Sequence, residues 1–409
     1  MTILYGPDTP GARAKRRGNR AKKPPTLPET AYTAGMTGAL TKFFTPYRDP
    51  ASGIVSWVLS ERIAPLQQAF YFVNTGFSPS QRYLWFYAAY PPAGGVNFGK
   101  VLAVIDFALG TLNVYPETQF RSESPLVTDE GVYWTSTKHL CFRGPAPGDK
   151  TVLLAKYPDE LFGERHVALM STHLTFSPDK RELFFDAAVG GAFFAGSYSL
   201  DRGEFAVWKR FDRHYNHGQF CPADGDLALI AQENWTDPAT GTKTRYDNRL
   251  WLLRRDGSFA PVFKEDVRVT HEWWDRDGEH FYALDQSDRL GGPAILRFDR
   301  RDLSYVPWVP GKFWHANDFG SGKWFVADRH PWTDFYRNCP SQVIFIDRES
   351  DRRAVVVSKN PEIDTAGNVY HIDPHPRFSP DGSMFTHTTT LLGRADLALT
   401  FTADALAAL

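Results

Sequence analysis

Five of the twelve histidines in this 409-residue chain fall at one place in a repeated motif. His173, His217, His271 and His375 each stand three residues before an aromatic anchor (Phe176, Phe220, Trp274 and Phe378), and His315 stands four before Phe319. Asn74 holds the matching place before Phe77. At this histidine content, chance would put fewer than one at seven equivalent positions. Imidazole is the commonest metal ligand and the base whose pKa lies nearest neutrality. The group His271, His315, Asp373 and His375 offers nitrogen and oxygen donors suited to Mn²⁺, Zn²⁺ or a similar ion, and His371 adds a donor beside it. The alternative is a polar, water-filled channel whose histidines bond to the backbone.

Tyr215, Trp235 and Trp314 lie close in sequence to the histidine strands. They could stack on sugar faces or serve as packing. Arg213 and Arg249 could pair with a ligand carboxylate or stay as surface charges. Phosphate-cradling glycine motifs and a Ser-centred nucleophile elbow are absent from the sequence.

The elements that must position these residues repeat. FVNTGFSPSQRYLWFYAA (72–89), STHLTFSPDKRELFFDAA (171–188), NHGQFCPADGDLALIAQE (216–233), THEWWDRDGEHFYALD (270–285), WHANDFGSGKWFVAD (314–328) and DPHPRFSPDGSMFTHTT (373–389) share one plan. Each has an apolar anchor, a Pro/Asp/Gly turn and a short apolar strand, which is hairpin chemistry. LVTDEGVYWTST (126–137) is a degenerate copy. Most are followed by a second hairpin, such as RLWLLRRDGSFAPVF (249–263). The anchors from Phe176 to Phe378 are spaced by 44, 54, 45 and 59 residues. Four strands per unit of that length predict an all-β, seven-bladed β-propeller. Its first strands line the channel, so side chains at one repeat position converge on the axis. A two-sheet sandwich is the competing architecture.

The propeller is expected over residues 41–409, preceded by a basic arm at 1–40 that carries Arg13, Lys15, Arg16, Arg17, Arg20, Lys22 and Lys23. Such an arm reads either as a solvated tail or as a segment that docks on a neighbouring subunit of a homo-oligomer. The net charge of −1 gives no global field for nucleic acid or anionic membranes. No apolar run is long enough for a membrane helix. Cys141, Cys221 and Cys339 are odd in number and form no CxxC pair. With no secretory h-region in the N-terminal stretch, this predicts free thiols in the cytoplasm.

QFCPADGDLALIAQENW, THEWWDRDGEHFY and HIDPHPRFSPDG resemble the oligogalacturonate lyases, polysaccharide lyase family 22. The family's segments there read approximately HxQFSPTD…HEGPW, GHEFW…DG and HPHPxFSPDG. YFVNTGFSPSQRYLWF is similar to the family's first blade, and the resemblance spans about residues 65–400. It implies β-elimination on a short, acidic uronate oligosaccharide, with Mn²⁺ as the divalent metal and Zn²⁺ or Ca²⁺ as alternatives. His217 falls on the family's general base, and His271 and His375 on metal ligands. A further ligand histidine is Asp373 here and a ligand glutamine is Tyr370, so His315 or His371 would complete the set. The family's HEGPW becomes Gln232–Trp235. His173 would bond substrate or act on the leaving group, and Arg213 would pair with a substrate carboxylate. Tyr215, Trp235, Trp314 and Arg249 would line the substrate site. Two other functions stay open: a lyase of the same fold acting on a glucuronate-containing glycan, and a non-catalytic scaffold or sugar-binding propeller.

Overall fold

The computed structural model describes residues 34–409 except 91–99, 121–123, 137, 163–166, 238–239, 264–268, 288–290, 330–340 and 364–371. The basic residues of the expected arm, Cys339, Tyr370 and His371 lie outside the described residues.

Seven antiparallel sheets form the seven blades of the expected propeller. Blades 1 to 6 each take four strands, and their first strands are Leu66–Gln68, Leu126–Val127, Val167–Met170, Tyr215–Cys221, Val269–Trp274 and Ala316–Phe319. Blade 2, read as degenerate, has all four strands: Leu126–Val127, Val132–Thr135, His139–Arg143 and Val152–Lys156. The middle strands are near-continuous apolar runs because neighbouring blades cover both their faces. Tyr83–Ala89 (YLWFYAA) and Lys100–Asp106 (KVLAVID) show this. Fourth strands are partly exposed, as in Glu204–Phe211.

Blade 7 closes the ring with both ends of the described chain. Arg377–Phe378, Met384–Thr389 and Asp396–Phe401 are joined by Val55–Leu59, and Phe44–Arg48 adds a fifth strand. Ser56 pairs with Thr400 and Val58 with Ala398. The side chains of Ser56 and Thr400 share a 2.9 Å hydrogen bond. Arg62 makes a two-pronged pair with buried Asp396 at 2.6 and 3.1 Å. Val58 and Leu59 are fully buried, each contributing about 2 kcal/mol. Helix Ala34–Phe43 starts within the range expected for the arm, and its Ala39, Leu40 and Phe43 join the core cluster shared by blades 1 and 7.

The repeated turn has a physical cause. In blades 3 and 7 the motif serine bonds the motif aspartate, Ser177 to Asp179 and Ser379 to Asp381. The next residue then takes a left-handed conformation: Lys180 at φ 60° and Gly382 at φ 75°. Gln81 and Gly278 do the same in blades 1 and 5. These turns lie at the end of the channel where each first strand finishes.

Candidate active site

Three of the five histidines sit in strained backbone. His217, His271 and His375 have φ of 56°, 55° and 46°, a left-handed region that few non-glycine residues occupy. In strands Tyr215–Cys221 and Val269–Trp274 the pairing register slips at these residues, between Asn216 and Gln219 and between Thr270 and Trp273. A bulge of this kind re-aims a side chain out of the sheet, and such strain collects at functional sites. Gly218 permits the bulge at His217: a Cβ there would lie 2.0 Å from the ring of Phe184.

The five imidazoles converge. Ring centroids are 4.9 Å apart for His173 and His217, 4.3 Å for His271 and His315, and 4.2 Å for His315 and His375. At their centre stands Tyr71, which the sequence reading did not single out. Its ring lies 4.8 to 6.5 Å from all five imidazoles and is stacked on His173. Asn74, matched to the histidines by spacing, is not in the ring. Its amide donates to the carbonyls of Ser124, Pro125 and Leu174 further along the axis. Blade 1 thus delivers its ring side chain three residues earlier than the repeat predicts.

One side of the ring is built for ligation. His315, Asp373 and His375 are buried, and their donor atoms lie within 4.8 Å of one another. The Nδ1–H of His315 donates to Asp328 Oδ2 at 3.0 Å, which turns the lone pair of Nε2 toward Asp373, 4.0 Å away. Asp328 also accepts the backbone N–H groups of His315 and His375, at 2.7 and 3.0 Å. A carboxylate behind a histidine is the usual support of a metal ligand. Trp314 donates its indole N–H to Asp373 at 3.1 Å and packs edge-on against His271 at 4.6 Å. Nδ1 of His271 is 3.1 Å from the hydroxyl of Thr270, so it too has a partner that orients the ring. This buried set of imidazole and carboxylate donors fits a divalent ion. Asp275, Asp277 and His280 also cluster, at the blade 5 turn, but Nδ1 of His280 already accepts from Arg297.

The other side is built around charge. His217 Nδ1 lies 3.3 Å from Glu272 Oε1 and 3.1 Å from an Arg249 nitrogen. Arg249 is 4% exposed and is bonded to Glu233, with Glu272 3.5 Å from its Nε. Burial opposes ionisation of Glu272, but Arg249 and the bond to His217 outweigh it and bring its carboxyl down to about 2. Burial likewise disfavours a charged His217, yet the hydrogen bond and charge of Glu272 raise its pKa above the ordinary value. Burial holds His173 and His271 well below that value, reinforced by His217 beside the first and His315 beside the second. Asp186 links His173 to His217: it accepts the N–H of Thr172 and of Gly218, both at 3.0 Å.

The remaining expected site residues are placed elsewhere. Arg213 is bonded to Asp247 on the exposed surface and is not brought to the ring. Tyr215 is buried among Phe211, Trp251 and Phe259, its hydroxyl accepting from Gln232 at 3.1 Å. Trp235 packs on Phe193 and His214. These two aromatics are therefore packing residues. Arg249 joins the site through His217 and two buried glutamates. Glu272 and Glu233 were missed, although Glu272 directly follows a ring histidine.

Comparison with solved structures places the fold. The protein shares its fold with oligogalacturonate lyases. An oligogalacturonate lyase in complex with manganese superposes with a TM-score of 0.70 over 88% of this chain and 96% of that one, at 16% identity. An oligogalacturonate lyase from Vibrio parahaemolyticus gives 0.69 over the same shares, at 14% identity. A puromycin hydrolase gives 0.53 over 80% of this chain and 53% of that one, at 14% identity. At such identities the likeness is one of fold. No family model matches the chain, and no curated protein matches its sequence.

Proposed function

We propose that this propeller is a lyase that cleaves a uronic-acid oligosaccharide by β-elimination, leaving a 4,5-unsaturated uronate. One observation carries the reading: a carboxylate-backed imidazole and a buried His/Asp/His donor set contact the same central side chain. Tyr71 lies 6.2 Å from the ring of His217 and 4.8 Å from that of His375. Elimination needs both functions in one site, a base at C5 and positive charge at the neighbouring carboxylate.

His315, Asp373 and His375 would hold a divalent metal, Mn²⁺ in this reading, with His271 beside them. Bound there, the ion would supply charge neutralisation to the uronate carboxylate. His217 acts as the base. Glu272 and Arg249 both engage Nδ1 of His217, which leaves Nε2 as the nitrogen to take the proton from C5. The C4=C5 double bond forms as the C4–O bond breaks, and the leaving oxygen takes up a proton. Arg249, held by Glu233 and Glu272, sets the field around His217. His173, kept neutral by burial, faces the substrate from the next blade. Trp314 fixes Asp373 and offers an indole edge at the mouth. Buried free thiols at Cys141 and Cys221 fit a cytoplasmic protein, and no helix among the described residues is long and apolar enough to cross a membrane.

One residue bears on a second substrate. Asp373 stands where the resembled family has histidine, and this altered donor set suits a lyase of a glucuronate-containing glycan equally. Incubation with oligogalacturonate and glucuronate-bearing oligosaccharides plus Mn²⁺ tests both. Unsaturated product from one panel assigns the substrate; none from either, with no bound transition metal, leaves a non-catalytic propeller.

A further inference from the structure

The axis of the propeller carries a second recess, remote from the histidine ring. The segment from Tyr71 to Asn74 runs down the channel. Tyr71 sits in the ring, Phe72 packs on Trp273, and Val73 and Asn74 line a cleft of about 280 Å³. The same order holds along the neighbouring first strands. His217 is followed by Gln219 and Phe220, and His271 by Trp273, Trp274, Asp275 and Arg276, all on the cleft wall. At about 3.3 Å per strand residue, the cleft lies on the order of 10 Å beyond the ring, toward the turn end.

Its charges are unusual. Arg377 is half-buried and donates to the carbonyl of Phe72 at 3.1 Å. Arg276, at the exposed edge, donates to the carbonyls of Pro380 and Ser379. Neither guanidinium has a carboxylate within 4.0 Å among the described residues. Burial and the repulsion of Arg276 bring Arg377 down to about 10. Asp318 is taken by the indole of Trp273 at 2.9 Å, and Asp275 accepts from the hydroxyl of Tyr282 at 3.2 Å. Burial and the charge of Asp318 raise Asp275 above the ordinary carboxylate range. Lys180 adds a further cation to the wall, and Phe176, Phe220 and Trp274 give it an apolar face.

We propose that this cleft is a second binding site, for a carboxylate-bearing molecule of monosaccharide size. Asp318 acts on both guanidiniums from beyond ion-pair distance; an anion in the cleft would give them a direct partner, and a carboxylate matches the fork of Arg377. The volume lies at the small end of ligand pockets, and the aromatic wall accepts the apolar face of a sugar ring. The proposal does not depend on lyase activity at the ring.

Titration calorimetry on the full chain tests it, with D-galacturonate, D-galactose and inorganic phosphate as probes. Galacturonate is expected to bind at a site that is kept in His375→Ala, galactose not to bind, and phosphate to bind at least tenfold more weakly. Arg377→Met should weaken galacturonate at least tenfold. Arg276→Gln, at the exposed edge where folding is not at risk, should weaken it several-fold. His375→Ala, which alters only the ring, should leave the affinity within twofold. Absence of galacturonate binding, equal binding of phosphate, indifference to both arginine substitutions, or loss in His375→Ala would each overturn the proposal.

Discussion

The carboxylate of Asp328 grips Nδ1 of His315 at 3.0 Å and thereby fixes which imidazole nitrogen faces the centre of the ring. The same oxygen takes the backbone N–H of His375. One residue on the second strand of blade 6 therefore positions two donors from two blades. Asp328→Asn should lower affinity for Mn²⁺ by about ten- to a hundredfold, read by metal titration, while the circular dichroism spectrum stays that of the propeller. Unchanged affinity would mean that the two histidines are not ligands.

Glu272 gives the ring its pH dependence. His217 works as a base only when deprotonated, so activity should rise with pH through its folded-state pKa. That pKa is raised above 6.5 because negative Glu272 favours the imidazolium. Neutralising the partner removes the stabilisation, while burial still opposes the charge. Glu272→Gln should therefore shift the acidic limb of the kcat/KM profile to lower pH and reduce the plateau at higher pH. A shift to higher pH would contradict this role for Glu272.

Tyr71 contacts every imidazole of the ring. Tyr71→Phe keeps the ring contacts and removes the hydroxyl. It should lower kcat/KM by about tenfold or more, the size of a lost hydrogen bond to a charged group, with little change in Tm. An unchanged kcat/KM would make Tyr71 a plug only.

Gly218 couples packing to the site. Phe184 is fully buried and wedged between Trp208 and Phe220, so it has little room to yield to a Cβ 2.0 Å away. Gly218→Ala should destabilise the fold by about 1–3 kcal/mol, measured by denaturant unfolding. It should also lower activity, because the bulge that aims His217 shifts with it.

The repeat made the blades and the five histidines of the ring readable from sequence. One turn motif recurs, and the strand before it must face the axis, so equivalent positions must meet. The motif could not show the rest. Tyr71 precedes its anchor Phe77 by six residues, because blade 1 sends its chain along the axis before turning. Arg249 directly precedes the third strand of blade 4, Leu250–Arg254, and only the stacking of blades 4 and 5 brings it to Glu272. The closure of blade 7 by Val55–Leu59 pairs residues more than 300 positions apart, and no local signal announces it. Tyr215 and Trp235 were drawn to the site by proximity in sequence, whereas Tyr215 turns into the core between blades and Trp235 packs, partly buried, against the edge of the same cluster.

His217 is the residue on which the functional reading turns. The decisive measurement follows the ultraviolet absorbance of unsaturated uronate during incubation with oligogalacturonate and Mn²⁺, for the native chain and for His217→Ala, with bound metal determined on both. The native chain should form the product, and His217→Ala should form none while retaining its metal. Product formation by His217→Ala, or loss of the metal along with activity, would contradict the assignment of His217 as the base.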